Sequence, residues 1–220
     1  MSTVVHADLM KRLRGLNLYL VGMMGAGKSA VGRPLAQALG YRFIDTDQAL
    51  ERTTGRSISR LFTDEGEAGF RDLETAVLDQ LAHWHSLVVA TGGGAVTRPV
   101  NWGHLRQGVV IWLDAPESVL LRRLRADATP RPLLMKDPDP ASRLRTLLDQ
   151  RRPLYAQADL HVSQDGEASP EAVVRQVLDA LPGILREAPQ PPGEPPGAAT
   201  DPLAHGDQSA DGGSKRTANH

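Results

Sequence analysis

The chain has 220 residues, a formal net charge of −1 and no cysteine. That length suits one domain with a sizeable core plus a tail, and the near-neutral charge gives no ground for a nucleic-acid or membrane partner. The lack of cysteine excludes disulfides, thiolate metal sites and a cysteine nucleophile, and fits a cytoplasmic enzyme. No apolar run approaches the ~20 residues that cross a bilayer. The N-terminus carries Lys11, Arg12 and Arg14 without the apolar segment of a secretory signal.

Residues 1–14 read as a short extension, with Leu9, Met10 and Leu13 able to pack on the domain. The apolar run Leu16–Val21 predicts a buried strand. It opens directly into Gly22-Met23-Met24-Gly25-Ala26-Gly27-Lys28-Ser29, a G-x-x-x-x-G-K-S pattern, and then into a helical pattern through Val31, Leu35 and Leu39 that stops at Gly40. Strand, glycine loop and helix in that order are the context a phosphate-binding P-loop requires. Gly22, Gly25 and Gly27 let backbone N–H groups converge on a phosphate chain. The following helix aims its free N–H groups at the same anion. Lys28 adds a mobile charge for the β- and γ-phosphates, and Ser29 a hydroxyl for Mg²⁺.

Phe43-Ile44 predicts a second strand ending at Asp45. From Gln48 to Trp84 the pattern is helical but broken, with a turn over 53–57 and Ser57 as a helix cap. Leu87–Ala90 predicts a third strand, ending in Thr91-Gly92-Gly93-Gly94, and Val109–Leu113 a fourth. A helix over Glu117–Arg125 leads into the polar stretch 126–140, which reads as a lid. A helix over Ala141–Tyr155, a fifth strand over Leu160–Val162 and a helix opened by Ser169-Pro170 come next. Residues 186–220 are rich in Pro, Gly, Ala, Asp and Ser and read as disordered. Strands alternating with helices predict an α/β fold with a parallel sheet, whose ligands bind at the carboxyl ends of the strands. The P-loop, the Asp45/Asp47 pair and the glycine triplet should then line one crevice.

Asp45-Thr46-Asp47, read as an extended segment, places both carboxylates on one side, where one orients water around Mg²⁺ and the other faces an acceptor hydroxyl. The plainer reading is a helix cap at Asp47. The strand ending at Thr91 lacks the acidic residue usual in P-loop enzymes. Its three glycines instead expose N–H groups to a small acceptor, or simply form a tight turn. Arg71 and Arg151 are ordinary surface residues by default; if they converge, they form a clamp for a carboxylate. The seven histidines show no metal-ligand spacing.

Taken together, Gly22–Ser29, Asp45-Thr46-Asp47, Gly66-Glu67 with Phe70-Arg71, Thr91–Val96, Arg131-Pro132-Leu133-Leu134 and Arg151-x-Pro153-Leu154-Tyr155 occur in the order found in shikimate kinases. The resemblance spans about residues 14–182. It implies a P-loop fold like that of nucleoside monophosphate kinases, with a five-stranded parallel sheet, a substrate-binding region over about 46–75 and a lid over 126–140, all within a domain over 15–185. It implies transfer of the γ-phosphoryl of ATP to the 3-hydroxyl of shikimate, in the chorismate route to aromatic amino acids. ATP would bind through Gly25, Ala26, Gly27, Lys28, Ser29 and Ala30, with Arg131 reaching the phosphates from the lid. Asp47 would contact the acceptor hydroxyl and take its proton, with Lys28 and Arg131 assisting. Arg71, Arg151, Gly93 and Gly94 would hold the shikimate carboxylate. Ser29 would ligate Mg²⁺ directly and Asp45 through water. One of the arginines between Arg122 and Arg125 would pack on adenine, in a register left open. Ala30 stands where many members have Thr.

Two other readings stay open on sequence alone. A gluconate-type kinase of the same fold also takes a carboxylate-bearing acceptor. A non-catalytic nucleotide switch would want an Asn-Lys-x-Asp motif, which is absent, and a pseudokinase would be expected to lose Lys28, Asp47 or Arg131. The apolar content shows no surplus that demands a partner, which fits a monomer.

Overall fold

The computed structural model describes residues 3–127, 132–135 and 139–185. The expected lid arginine Arg131 and the 186–220 tail lie outside the described residues.

Five strands form one parallel sheet: β1 (Leu18–Val21), β2 (Arg42–Asp45), β3 (Leu87–Ala90), β4 (Val109–Asp114) and β5 (Leu160–Ser163), in the order β2-β3-β1-β4-β5. Sequence pattern explains which strands are central. Leu18-Tyr19-Leu20-Val21 and Leu87-Val88-Val89-Ala90 are buried at every position, as a strand covered by helices on both faces must be. β2, with no fully buried position, and β5, which alternates with exposed ones, occupy the two edges. The register pairs Leu20 with Ala90 on one side and with Ile111 on the other. The chain passes from β1 out to β2, returns to β3, then crosses β1 to reach β4. The carboxyl end of β1 is therefore the point where the winding reverses, and a crevice opens there.

Helices α1 (Thr3–Leu13), α2 (Lys28–Leu39), α3 (Thr46–Thr54) and α4 (Ile58–Ala82) fill the first half. The N-terminal extension is part of this core: Leu9 and Leu13 are fully buried, and Arg12 donates to the Pro182 carbonyl at 2.6 Å. α2 buries Val31, Leu35 and Leu39, a helical stripe of i, i+4, i+8 spacing. The expected break between residues 48 and 84 falls at two glycines. Gly55 ends α3 in the left-handed region, and Gly66 (φ 69°, ψ −178°) kinks α4. Phe62 and Phe70 stack across that kink with ring centroids 4.2 Å apart. Ser57 caps α4 by accepting from the Arg60 N–H, as its position suggested.

After β3 a short 3-10 turn (Ala95–Thr97) leads to α5 (Pro99–Leu105), which the sequence pattern does not reveal. Its apolar residues are few and its length is two turns, so it has little periodicity to read. Then come α6 (Glu117–Ala126), α7 (Pro132–Met135), α8 (Pro140–Tyr155) and α9 (Pro170–Ile184). Leu133 and Leu134 of α7 are buried, so that part of the supposedly core-free 126–140 stretch packs on the domain.

Candidate active site

The P-loop turns out of β1 at Gly22, whose φ is 140° and whose missing Cβ would meet the Leu113 carbonyl of β4. No other residue fits there without strain. The loop ends at Gly27, which caps α2 in the left-handed region (φ 86°), and Lys28 and Ser29 open the helix. The N–H groups of this first turn have no intrahelical acceptor and face the crevice with the positive end of the helix dipole. Lys28 Nζ donates to the Gly22 and Met23 carbonyls at 2.8 and 3.0 Å. Its charge is thus held over the loop.

Two more groups brace the loop from the far side. Arg123 on α6 donates to the Gly25 carbonyl at 3.2 Å and to Gln164 Oε1 at 3.4 Å. Gln164, buried just after β5, donates in turn to the Ala26 carbonyl at 2.9 Å. Of the arginines between 122 and 125, Arg123 is therefore the one against the P-loop. Arg122 instead donates to the Gly166 carbonyl.

Asp45 and Asp47 do not form the extended pair expected of them. Asp45 ends β2 and is itself the cap of α3, its Oδ1 accepting from the Asp47 and Gln48 N–H groups at 3.1 and 3.3 Å. Asp47 sits in the first turn of the helix and is not the cap. The other oxygen of Asp45 turns to the P-loop: Ser29 Oγ donates to Asp45 Oδ2 at 2.5 Å. A carboxylate from β2 thus stands where the strand ending at Thr91 offers none. Asp45 and Asp47 both line the crevice, by way of a strand end and a helix start.

The crevice is a cavity of about 670 Å³ that takes in the P-loop at one end and Asp47, Arg71, the glycine triplet and Arg151 at the other. Arg71 on α4 and Arg151 on α8 are 6% and 4% exposed, far from the solvated faces that lone helical arginines usually occupy. They meet the glycine triplet at adjacent residues. A Cβ on Gly94 would overlap the Arg71 guanidinium, and Arg151 Nη1 donates to the Gly93 carbonyl at 3.2 Å. The triplet is both a turn and a platform. Gly92 N–H donates to Thr46 Oγ1 at 2.9 Å, the Gly92 carbonyl accepts from Ala95, and the N–H groups of Gly93 and Gly94 have no acceptor among the described residues.

Glu74 was missed in the sequence. It is fully buried, accepts from Arg71 Nη1 at 2.8 Å through Oε2, and packs against the Cα of Gly92. Its Oε1 has no hydrogen-bond partner among the described residues. The signal was present: Glu74 interrupts the Phe70, Leu78 stripe of α4 at i+4, where an apolar residue belongs. A buried carboxylate beside Arg71 fixes the guanidinium's direction, and the glycines leave room for the pair.

The family model for shikimate kinase matches residues 24–182. A shikimate kinase of Synechococcus sp. strain RCC307 is 60% identical over 176 residues, covering 80% of this chain and 89% of that protein. The structure of the Acinetobacter baumannii shikimate kinase in complex with shikimate superposes with a TM-score of 0.75 at 40% identity, covering 80% of this chain and 97% of that one. A gluconokinase from Sinorhizobium meliloti shares the fold, with a TM-score of 0.52 at 22% identity over 78% of this chain and 94% of its own. With its all-parallel P-loop sheet and these relatives, the chain belongs to the shikimate kinase family and is an ATP-dependent kinase.

Proposed function

We propose that this chain transfers the γ-phosphoryl group of ATP to the 3-hydroxyl of shikimate, giving shikimate 3-phosphate and ADP. The observation that carries the reading is the pair of buried guanidiniums, Arg71 and Arg151, on either side of the Gly93–Gly94 peptide in the cavity that also holds the P-loop and Asp47. Two cations and two free N–H groups suit a carboxylate, bound bidentately and desolvated. Asp47, lining the same cavity, suits a hydroxyl of the same small acid.

In this reading Gly25, Ala26, Gly27, Lys28, Ser29 and Ala30 hold the phosphates, and Arg123 flanks the base. Asp47 orients the acceptor hydroxyl and takes its proton as the oxygen attacks the γ-phosphorus; the bond from that phosphorus to the β-phosphate oxygen breaks, and ADP leaves with the electron pair. Lys28 offsets the charge that moves onto the leaving oxygen. Arg131 is assigned to the phosphates on the family pattern alone. Positioning and charge compensation do most of the work, because phosphoryl transfer needs little covalent help from the protein.

Ser29 and Asp45 fit a magnesium site. Ser29 offers a hard oxygen ligand beside the phosphate loop and Asp45 a carboxylate for a metal-bound water, and the two already face one another through a hydrogen bond. One direct protein oxygen leaves room for the phosphate and water oxygens that Mg²⁺ prefers. Bound there, Mg²⁺ would neutralise charge on the β- and γ-phosphate oxygens. We also propose a cytoplasmic monomer, which size-exclusion chromatography with light scattering checks.

The functional test is ADP release from ATP and Mg²⁺, with shikimate and with gluconate. Release that depends on shikimate supports the reading. Release that depends on gluconate instead transfers the site to the gluconate-type alternative.

A further inference from the structure

Tyr155, the last residue of α8, lies one helical turn beyond Arg151 and is 1% exposed. Its hydroxyl donates to the Gly93 carbonyl at 2.6 Å, the same oxygen that accepts from Arg151 Nη1 at 3.2 Å. Both side chains also touch the thioether of Met23 in the P-loop, at 3.8 and 3.9 Å. The phenol ring is fixed by packing on Trp112, with centroids 6.0 Å apart. The Gly93–Gly94 peptide is trans, so its N–H points opposite to the Gly93 carbonyl. Anchoring that carbonyl from below turns the N–H to the cavity, where it has no acceptor among the described residues.

We infer that Tyr155 is a positioning residue for the acceptor's carboxylate: its hydroxyl pins the Gly93–Gly94 peptide and, through the shared carbonyl, the Arg151 guanidinium. Glycine residues supply the room for Arg71 and Glu74 but give this peptide no stiffness of their own. Left to Arg151 alone, the carbonyl would compete with the substrate for the guanidinium. A second donor lets Arg151 keep one nitrogen on the carbonyl and present the others to the ligand. Burial pushes the Tyr155 phenol up to about 12, so it stays a neutral donor at every working pH. This role rests on the shikimate reading above.

The test is Tyr155→Phe, which keeps the ring against Trp112, compared with Leu144→Val, which thins the packing of the same helix without touching the carbonyl. We expect Tyr155→Phe to raise KM for shikimate about tenfold, the worth of one lost hydrogen bond in a buried site. Its kcat and its KM for ATP stay within about twofold of wild type. Calorimetric affinity for shikimate should fall by the same factor, equally at pH 6 and pH 9. Leu144→Val should lower Tm and leave KM for shikimate unchanged. Wild-type KM for shikimate in Tyr155→Phe overturns the role, as does a rise shared by both substrates or matched by Leu144→Val. If the wild-type protein itself shows no shikimate-dependent turnover and no calorimetric binding, the functional reading falls and this role falls with it.

Discussion

On the proposed reading, the nucleotide end of the cavity is built on eight consecutive residues, Gly22 to Ser29. At the acceptor end, Asp47, Arg71 with Glu74, the Gly93–Gly94 peptide and Arg151 come from four segments more than 100 residues apart at the extremes. The first end is shaped by backbone conformation, and its ligands-to-be are N–H groups that water can satisfy when nothing is bound. The second is shaped by side-chain charges held out of water: Arg71 and Glu74 pair at 2.8 Å with 8% and 0% of their side chains exposed. Damage at the nucleotide end should therefore cost affinity, whereas damage at the acceptor end should cost affinity and folding together.

Asp47, the acceptor-end residue assigned to the hydroxyl, should show the largest effect. Asp47→Asn is expected to lower kcat by roughly 10²–10⁴-fold, since it removes the base but not the shape, while ATP titration stays near wild type. An active Asn variant would take Asp47 out of the chemistry. Next comes the Arg71–Glu74 pair. Arg71→Met leaves Glu74 buried without its cation and should lower stability by about 3–5 kcal/mol, read as a large drop in Tm. Adding Glu74→Met should recover most of that stability while turnover of shikimate stays lost. Recovery of turnover along with Tm would mean that Arg71 supports the fold but does not grip the substrate.

Arg123→Ala sharpens the comparison from the other side. Losing its bonds to Gly25 and Gln164 should raise KM for ATP about tenfold, with Tm and KM for shikimate little changed. A parallel rise in both KM values would show that the two ends are not separable. The smallest effect should come from Glu117→Gln, remote from the cavity. The Arg145 guanidinium, bonded to Glu117 at 2.8 and 3.0 Å, holds that carboxyl below its usual range. Its stabilisation is present above the titration of the unfolded carboxyl and is lost as pH falls through the folded one. Both groups are solvent-screened, so Tm near pH 7 should fall by no more than ~1–2 °C, and wild type and variant should converge once pH falls below the folded carboxyl's titration. Kinetic constants at both ends should not move.

Everything written in short range is legible in the amino-acid order alone. The five strands, the P-loop and the caps at Ser57 and Ser169 depend on neighbours a few residues apart, so apolar runs, glycine spacing and cap chemistry were enough. Family resemblance pointed to Arg71 and Arg151, but composition and helical spacing alone favoured solvent for both. Packing against distant segments buries both beside adjacent glycines. It also decided that Asp45, not Asp47, caps α3 while meeting Ser29, that Arg123 is the arginine on the loop, and that Glu74 lies under Arg71. The strand order β2-β3-β1-β4-β5 was equally beyond local pattern. Each of these depends on which segments distant in sequence pack together. A helical arginine reads the same whether its face meets water or another element, and that choice is made by the packing around it.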